Sequence, residues 1–207
     1  MAVVKFELLR RESYLDGQPF GDTGAYERID GLLHYAVDAA HPRNRDIVDL
    51  DLAPRDADGR VSFSGDICLL VPTDLARANR RLLVELPNRG RKRLTRYLLR
   101  AANEPTPTPT IPAGDGFLMR HGYTIGWIGW QWDVRRSTAL MGLDPPRAAG
   151  VRGQTMVRFQ PAARHRTHLL ADLNHLPYPA ADVNDQVELP RYRGQFSAWD
   201  RGYLLSR

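Results

Sequence analysis

The chain has 207 residues, of which 43% are hydrophobic and 26% are charged, and its formal net charge is +5. This length and composition are sufficient for one domain with a buried core. The mean hydropathy of -0.44 and the lack of a long apolar run argue against a membrane span or a secretory signal. The only cysteine, Cys68, cannot form an internal disulfide. We therefore expect a cytoplasmic protein with a buried thiol and no membrane partner.

The first eighty residues predict an antiparallel β meander. Apolar and polar residues alternate in part over Tyr26–Asp38, Ile47–Ala53 and Val61–Pro72. Turn-forming residues separate these three segments. We expect three half-exposed strands that lead into a more apolar part of the sheet.

Residues 80–133 predict a βαβ unit. The apolar segments RRLLVELP (Arg80–Pro87) and YTIGWIGWQWD (Tyr123–Asp133) are typical of neighbouring parallel strands. A helix is predicted over Arg91–Asn103 and an exposed extended loop over Glu104–Gly116, where prolines and threonines alternate. The segment FLMRHG predicts a short helical turn that ends at Gly122.

The segment Arg89–Arg100 is the densest basic run and raises the question of nucleic-acid binding. Arginine is frequent throughout the chain, whereas Lys5 and Lys92 are its only lysines. The predicted helix places Leu94, Tyr97, Leu98 and Ala101 on one face and leaves its arginines in water. The sequence therefore predicts a solvated helix face and no nucleic-acid partner.

The chain changes character after Met141, where prolines punctuate short segments. Strands are predicted at Gly153–Gln160 and Gln186–Leu189. Four further residues are spaced so that a helix would place them on one face, and their side chains are of the types that bind zinc. They are His165, His168, Asp172 and His175. Prolines border this stretch, so we predict no metal site, and no cofactor is expected.

Four segments resemble, in order, consecutive motifs of the bacterial "alpha/beta hydrolase domain" proteins. They are FGDTGAYERIDG (Phe20–Gly31), HPRNRDIVDLDLAPRDADGRVSFSGD (His41–Asp66), ELPNRGRK (Glu85–Lys92) and DGFLMRHGYTIGWIGWQWDV (Asp115–Val134). The resemblance implies an α/β class and an incomplete α/β-hydrolase fold. In that fold an antiparallel meander leads into parallel strands with a crossover helix, and a proline-rich, β or irregular C-terminal excursion follows. The expected single domain, 1–207, comprises a sheet portion (14–140), an insertion (141–190) and a divergent tail (191–207).

The resemblance also implies an esterase-like enzyme with a serine nucleophile. None of the six serines lies in a G-x-S-x-G elbow, so the nucleophile, acid and histidine are not expected in this chain. The family pattern fades after Leu189, which suggests a truncated or frameshifted product, inactive alone. Its complete form is expected to act on a small-molecule ester-like substrate.

Two groups of site residues are predicted at the carboxyl ends of the two parallel strands. The first group, Asn88, Arg89 and Gly90, is the candidate for an oxyanion-hole donor, although a tight strand–helix turn explains these residues equally well. The second group, Trp130, Gln131 and Asp133, is the candidate for a substrate pocket. Core packing is favoured for Trp127, and Asp133 has the alternative of capping the next segment or pairing with Arg135 or Arg136.

A different class of function remains open from the sequence. The chain fits a noncatalytic, β-rich module that binds a small molecule at the tryptophan-rich strand end. Because TIGWIGW is expected to lie at an exposed sheet edge, self-association through that edge is also predicted.

Overall fold

The structure is a computed structural model that describes residues 2–148, 150–151 and 176, and four short strands further along. The chain divides into two compact units, Met1–Ala148 and Ala149–Arg207. In the second unit two antiparallel pairs are described; they join β7 (Gln186–Glu188) to β10 (Tyr203–Leu205) and β8 (Arg193–Gly194) to β9 (Ser197–Ala198). The strand predicted at Gln186–Leu189 is confirmed over Gln186–Glu188. The strand predicted at 153–160 and the histidine group at 165–175 lie outside the described residues.

The first unit is built around one mixed sheet of six strands. These strands are β1 (Ala2–Ser13), β2 (Tyr26–Val37), β3 (Val61–Pro72), β4 (Leu82–Glu85), β5 (Thr124–Ile128) and β6 (Leu143–Asp144). Two short α-helices accompany them, α1 (Leu94–Leu98) and α2 (Phe117–Arg120). Single 3-10 turns lie at Tyr14–Gly17, Gly21–Thr23, Pro42–Asn44, Leu50–Leu52, Leu75–Arg77 and Asn88–Gly90. None of the helices in the described residues is long and apolar enough to cross a membrane.

The strand order is β1-β2-β3-β5-β4, and β6 pairs with β3 beside the end of β5. Every pairing is antiparallel except that of β4 with β5, which is parallel. The predicted strands at β2 and β3 and the parallel neighbours β4 and β5 are therefore confirmed. The strand predicted at Ile47–Ala53 is wrong, because Asp49 adopts a left-handed conformation (φ +58°) and the chain turns there.

The predicted α/β-hydrolase fold is wrong. The unit is mostly β, and its two helices have only five and four residues, too little for an architecture with crossover helices. The helix expected over Arg91–Asn103 is reduced to α1. It ends because the N–H groups of Leu99 and Ala101 both bond to the carbonyl of Thr95, and Arg100 between them has φ +54°.

The predicted exposed edge at TIGWIGW is also wrong. Strand β5 lies between β3 and β4, and both Ile125 and Trp127 are fully buried. The edge on this side of the sheet is formed by β4 instead, where Leu82 is 58% exposed and Val84 is 41% exposed, and β1 forms the opposite edge. The side chains of these two residues approach Gly126 on one face of the sheet.

The other face of the sheet is covered by the segment between α1 and β5. Tyr14 donates its hydroxyl to the carbonyl of Ile111 at 2.7 Å, and Arg28 donates to the carbonyl of Pro109 at 2.6 Å. Ile111 is 3% exposed, so the loop predicted to be exposed at Glu104–Gly116 is buried at this residue. The core on this face includes Tyr14, Phe20, Tyr26, Cys68, Leu70, Leu94, Leu99, Ile111, Leu118, Met119, Ile125, Trp127 and Met141.

Candidate functional site

The parallel pairing of β4 and β5 brings the two predicted groups of site residues to the same end of the sheet. Strand β4 ends at Glu85 and continues into the Asn88–Gly90 turn, while β5 ends at Ile128 and continues into residues 129–133. Carboxyl ends of adjacent parallel strands are the usual location of ligand sites. We call the six predicted residues the strand-end site: Asn88, Arg89, Gly90, Trp130, Gln131 and Asp133.

Arg89 is the residue that joins the two halves of the strand-end site. Its backbone N–H donates to Oε1 of Gln131 at 2.6 Å, and its guanidinium donates to Oδ2 of Asp133 at 2.8 Å. Asp133 is 16% exposed in its side chain, so water screens this ion pair less than an exposed one. The alternative pairing of Asp133 with Arg136 is not found, since Arg136 pairs with Asp66. The site is held together by contacts between its own members.

Trp130 is the exposed aromatic group of the strand-end site. Its ring is 50% exposed, and its indole Nε1 donates to the carbonyl of Pro87 at 3.1 Å. That hydrogen bond fixes the ring beside the Asn88–Gly90 turn. Trp127 differs completely, because it is fully buried, and its predicted role as a core residue is confirmed.

The backbone of the Asn88–Gly90 turn is strained and tightly packed. Arg89 has φ +55° and Gly90 has φ +72°. A Cβ added at Gly90 would lie 2.4 Å from the carbonyl oxygen of Met141, whose N–H donates to the carbonyl of Gly90. The tight turn proposed for this segment is therefore present, and the N–H of Arg89, an oxyanion-hole candidate, already bonds to Gln131.

A row of residues in register crosses the sheet behind the strand-end site, on the covered face. In order from β1 to β4 it consists of Arg10, Asp30, Cys68, Trp127 and Glu85. Directly opposite residues on neighbouring strands share one face of a sheet and interact there. This row could not be predicted from the sequence, because its members are up to 117 residues apart along the chain. Only the register of the strands brings them side by side.

Glu85 at the end of this row connects the sheet to α1. Its carboxylate accepts from the backbone N–H groups of Arg93 and Leu94 at 2.9 and 2.7 Å and from the indole Nε1 of Trp127 at 2.6 Å. All three partners are donors, and oxygens of the Glu85 side chain are their acceptors. Glu85 therefore fixes the start of α1 and the position of Trp127, and the charge at the end of an apolar strand was its only sequence signal.

Asp30 and Cys68 have opposite pKa shifts in the middle of the row. Burial acts to raise the pKa of Asp30, but the Cys68 thiol and the guanidinium groups of Arg10 and Arg28 outweigh it, so the pKa lies below its usual value. Burial, together with the neighbouring Asp30 carboxylate, raises the pKa of Cys68 to about 12. The thiol is therefore protonated at neutral pH and is a poor nucleophile.

The described residues do not form a serine–histidine pair or a metal cluster. Among residues 2–148 no serine hydroxyl bonds to a histidine ring, and Ser137 instead accepts from the N–H groups of Ala139 and Leu140. In the same part of the chain no group of three or more potential metal-ligating side chains is found.

Comparison of the chain with protein-family models, with curated proteins and with solved structures gives no match.

Proposed function

We propose that the first unit is a small-molecule binding module and that the strand-end site holds the ligand. One observation carries this proposal: the six residues predicted from the sequence lie at the carboxyl ends of two parallel strands, and Arg89 joins the two halves by hydrogen bonds to Gln131 and Asp133. A site whose polar groups are already fixed loses little conformational entropy when a ligand binds. The proposed ligand is small and carries an aromatic or acyl group, as the ester-like substrate implied by the resemblance does.

The expected role of each residue in ligand binding follows from the exposure and charge of its side chain. Trp130 offers half of its ring as an apolar surface on which a planar or acyl group packs. Asn88 is exposed beside it and has both a donor and an acceptor in its side chain. Arg89 and Asp133 neutralise each other, so a neutral ligand suits this site better than a charged one.

The test uses phenyl acetate and benzamide as probes in saturation-transfer NMR. We expect both probes to receive saturation from the protein, and Trp130→Ala to weaken their binding about tenfold, which corresponds to about 1.4 kcal/mol. Phe117→Ala is the matched control, because Phe117 is 49% exposed on α2, outside the site. Equal losses in both variants, or no saturation of either probe, would show that the strand-end site is not the binding site.

Ester hydrolysis is the second candidate, and the observation that favours it is the fixed backbone N–H of Arg89 at the strand end. In a longer protein with a nucleophile, release of Gln131 would free this N–H to stabilise an oxyanion. The 207-residue chain is expected to hydrolyse p-nitrophenyl esters no faster than buffer does. Burst kinetics, or labelling of a serine by a fluorophosphonate, would contradict that expectation.

We also propose a cytoplasmic location, supported by the single free thiol of Cys68, which is buried. Protein isolated from its own cells without reductant, and alkylated at once under denaturing conditions, is expected to carry Cys68 as a free thiol. A mixed or intermolecular disulfide at Cys68 would argue for an oxidising compartment.

A further inference from the structure

A basic pocket lies next to α1 and shares no residue with the strand-end site. It is a concave space that is partly open to solvent. One wall comes from the segment that contains α1, and the other comes from the proline–threonine segment that follows it. The charged residues that line it are Arg91, Lys92, Arg93, Arg96 and Glu104.

The four cations of this pocket are not neutralised by ion pairs. Within the described residues none of them forms a salt bridge, although most other arginines of β1, β2 and the strand-end site do. Arg91 donates to the carbonyl of Pro105 at 3.2 Å, and Arg96 donates to the side-chain carbonyl of Asn103. These partners orient the guanidinium groups without cancelling their charge. The cations thus outnumber the one carboxylate of the lining, Glu104, while the carboxylates of Asp30 and Asp66 act on Lys92 from the sheet.

Neutral hydrogen-bonding groups complete the lining. Four threonines, Thr95, Thr106, Thr108 and Thr110, lie around the cations, and Thr95 is only 2% exposed. Guanidinium, ammonium and hydroxyl groups are the side chains that bind phosphate oxygens, and arginine does so in a bidentate manner. Lys92 is half-buried, and burial lowers its pKa. A bound anion offsets this desolvation, because it favours the charged amine.

We propose that this pocket binds the phosphate group of a small phosphate monoester. Two features favour such a ligand over a nucleic acid. The basic residues line a concave space, whereas a nucleic-acid surface follows a backbone along an open track. Pro107 and Pro112 also line the pocket and limit its extent. The predicted solvation of the arginines of the basic run is thereby corrected, since Arg91 and Arg93 are half-buried in the pocket lining.

Isothermal titration calorimetry with inorganic phosphate and phenyl phosphate tests the proposal on the 207-residue chain. We expect one saturable site for both probes and weaker binding of benzoate, which carries a single charge. Arg96→Gln and Lys92→Met are each expected to weaken binding at least about tenfold, the loss typical of one charge-assisted hydrogen bond. Arg100→Gln is the matched control, because Arg100 belongs to the same basic run but does not line the pocket.

Proton uptake provides a second readout that a general charge effect does not give. Besides burial, the groups that already act on the Lys92 pKa are Cys68, Arg28, Asp30 and Asp66. At alkaline pH phenyl phosphate is already a dianion, so a Lys92 pKa raised further by the bound anion is expected to draw part of a proton from the buffer. The apparent binding enthalpy then depends on the ionisation enthalpy of the buffer, and Lys92→Met removes that dependence. If Lys92→Met does not fold, Arg96→Gln still tests the pocket, because Arg96 is exposed.

Three results would overturn the proposal. The first is the absence of saturable phosphate binding. The second is an equal loss in Arg96→Gln and Arg100→Gln, which would indicate a diffuse effect of net charge. The third is tighter binding of a mixed-sequence oligonucleotide than of phenyl phosphate, with an equal loss of oligonucleotide binding in all the arginine variants. That result would indicate that the basic run binds nucleic acid.

Discussion

Glu85 shows how one side chain can determine the position of two elements. Its carboxylate accepts from α1 and from Trp127, so its removal leaves buried donors without an acceptor. We predict that Glu85→Ala lowers the free energy of unfolding by about 3 kcal/mol, since hydrogen bonds to a charged group and unsatisfied buried donors each cost about 1–3 kcal/mol. Urea unfolding monitored by circular dichroism measures this change.

The control for Glu85 is Glu12→Ala. Glu12 is 45% exposed in its side chain and makes a single ion pair with Arg10 at 3.4 Å, so its loss is expected to cost less than about 1 kcal/mol. Similar losses in the two variants would show that the contacts of Glu85 contribute no more than a surface ion pair.

The lowered pKa of Asp30 predicts how the free energy of unfolding depends on pH. This pKa is lowered in the folded state, so the contribution of Asp30 is present above the unfolded pKa, near 3.9, and is lost as the pH falls through the folded pKa. We expect the free energy of unfolding to decrease as the pH falls below about 4. Asp30→Asn is expected to be less stable at neutral pH and to show a smaller decrease in acid. Asp46→Asn is the control, because the Asp46 side chain is 88% exposed, and it is expected to behave like the unmodified chain. If the stability of Asp30→Asn fell with pH as steeply as that of the unmodified chain, Asp30 would not be the group responsible.

At the scale of elements, β1 and β4 are the two edge strands of the sheet, and β4 is the edge next to the strand-end site. Within the described residues no strand pairs with its outer side, and Leu82 and Val84 are exposed. Apolar edges of this kind pair with other chains, and lysine on an edge strand prevents such pairing. We predict concentration-dependent self-association, measured by light scattering, and its reduction by Val84→Lys.

Val48→Lys is the matched control for the edge, because Val48 is 84% exposed and lies outside every described strand. A monomer at all concentrations, or an equal effect of the two lysine substitutions, would remove the edge as an association surface.

The sequence was informative where periodicity determines structure and uninformative where distant contacts do. Alternation over β2 and β3 and continuous apolar character in β4 and β5 predicted strands in the correct places. The helix after β4 was predicted too long, because Leu94, Tyr97, Leu98 and Ala101 fit one helix face although the chain turns at Arg100. The Trp127–Glu85 contact and the basic pocket depend on sheet register and on the position of the proline–threonine segment, neither of which is encoded in local spacing.

The same contrast applies to the strand-end site. Its six residues were predicted from their position after two strands, and the structure brings them together. Their partners were not predictable in the same way: Asp133 pairs with Arg89, 44 residues away, while Arg136 pairs with Asp66.

For the whole molecule, tyrosine hydroxyls connect the sheet to the segment that covers it. Tyr26 donates toward the carbonyls of Met119 and Tyr123, 93 and 97 residues away. Tyr26→Phe keeps the ring and removes these bonds, so we predict a loss of about 1–2 kcal/mol in the free energy of unfolding. Tyr97→Phe, at a ring 64% exposed, is the control and is expected to unfold like the unmodified chain. Chemical denaturation followed by tryptophan fluorescence compares the two variants.

The position of β5 between β3 and β4 has a consequence for the growing chain during synthesis. By Pro72 the three antiparallel strands β1, β2 and β3 have all been made, and each has its neighbour available. Strand β4 is then translated, but its only described partner, Thr124–Ile128, follows about forty residues later. Throughout that interval the side of β3 that later receives β5 and the whole of β4 remain unpaired. A nascent chain stalled before Thr124 therefore presents two apolar strand edges that are open to pairing with another chain at that stage.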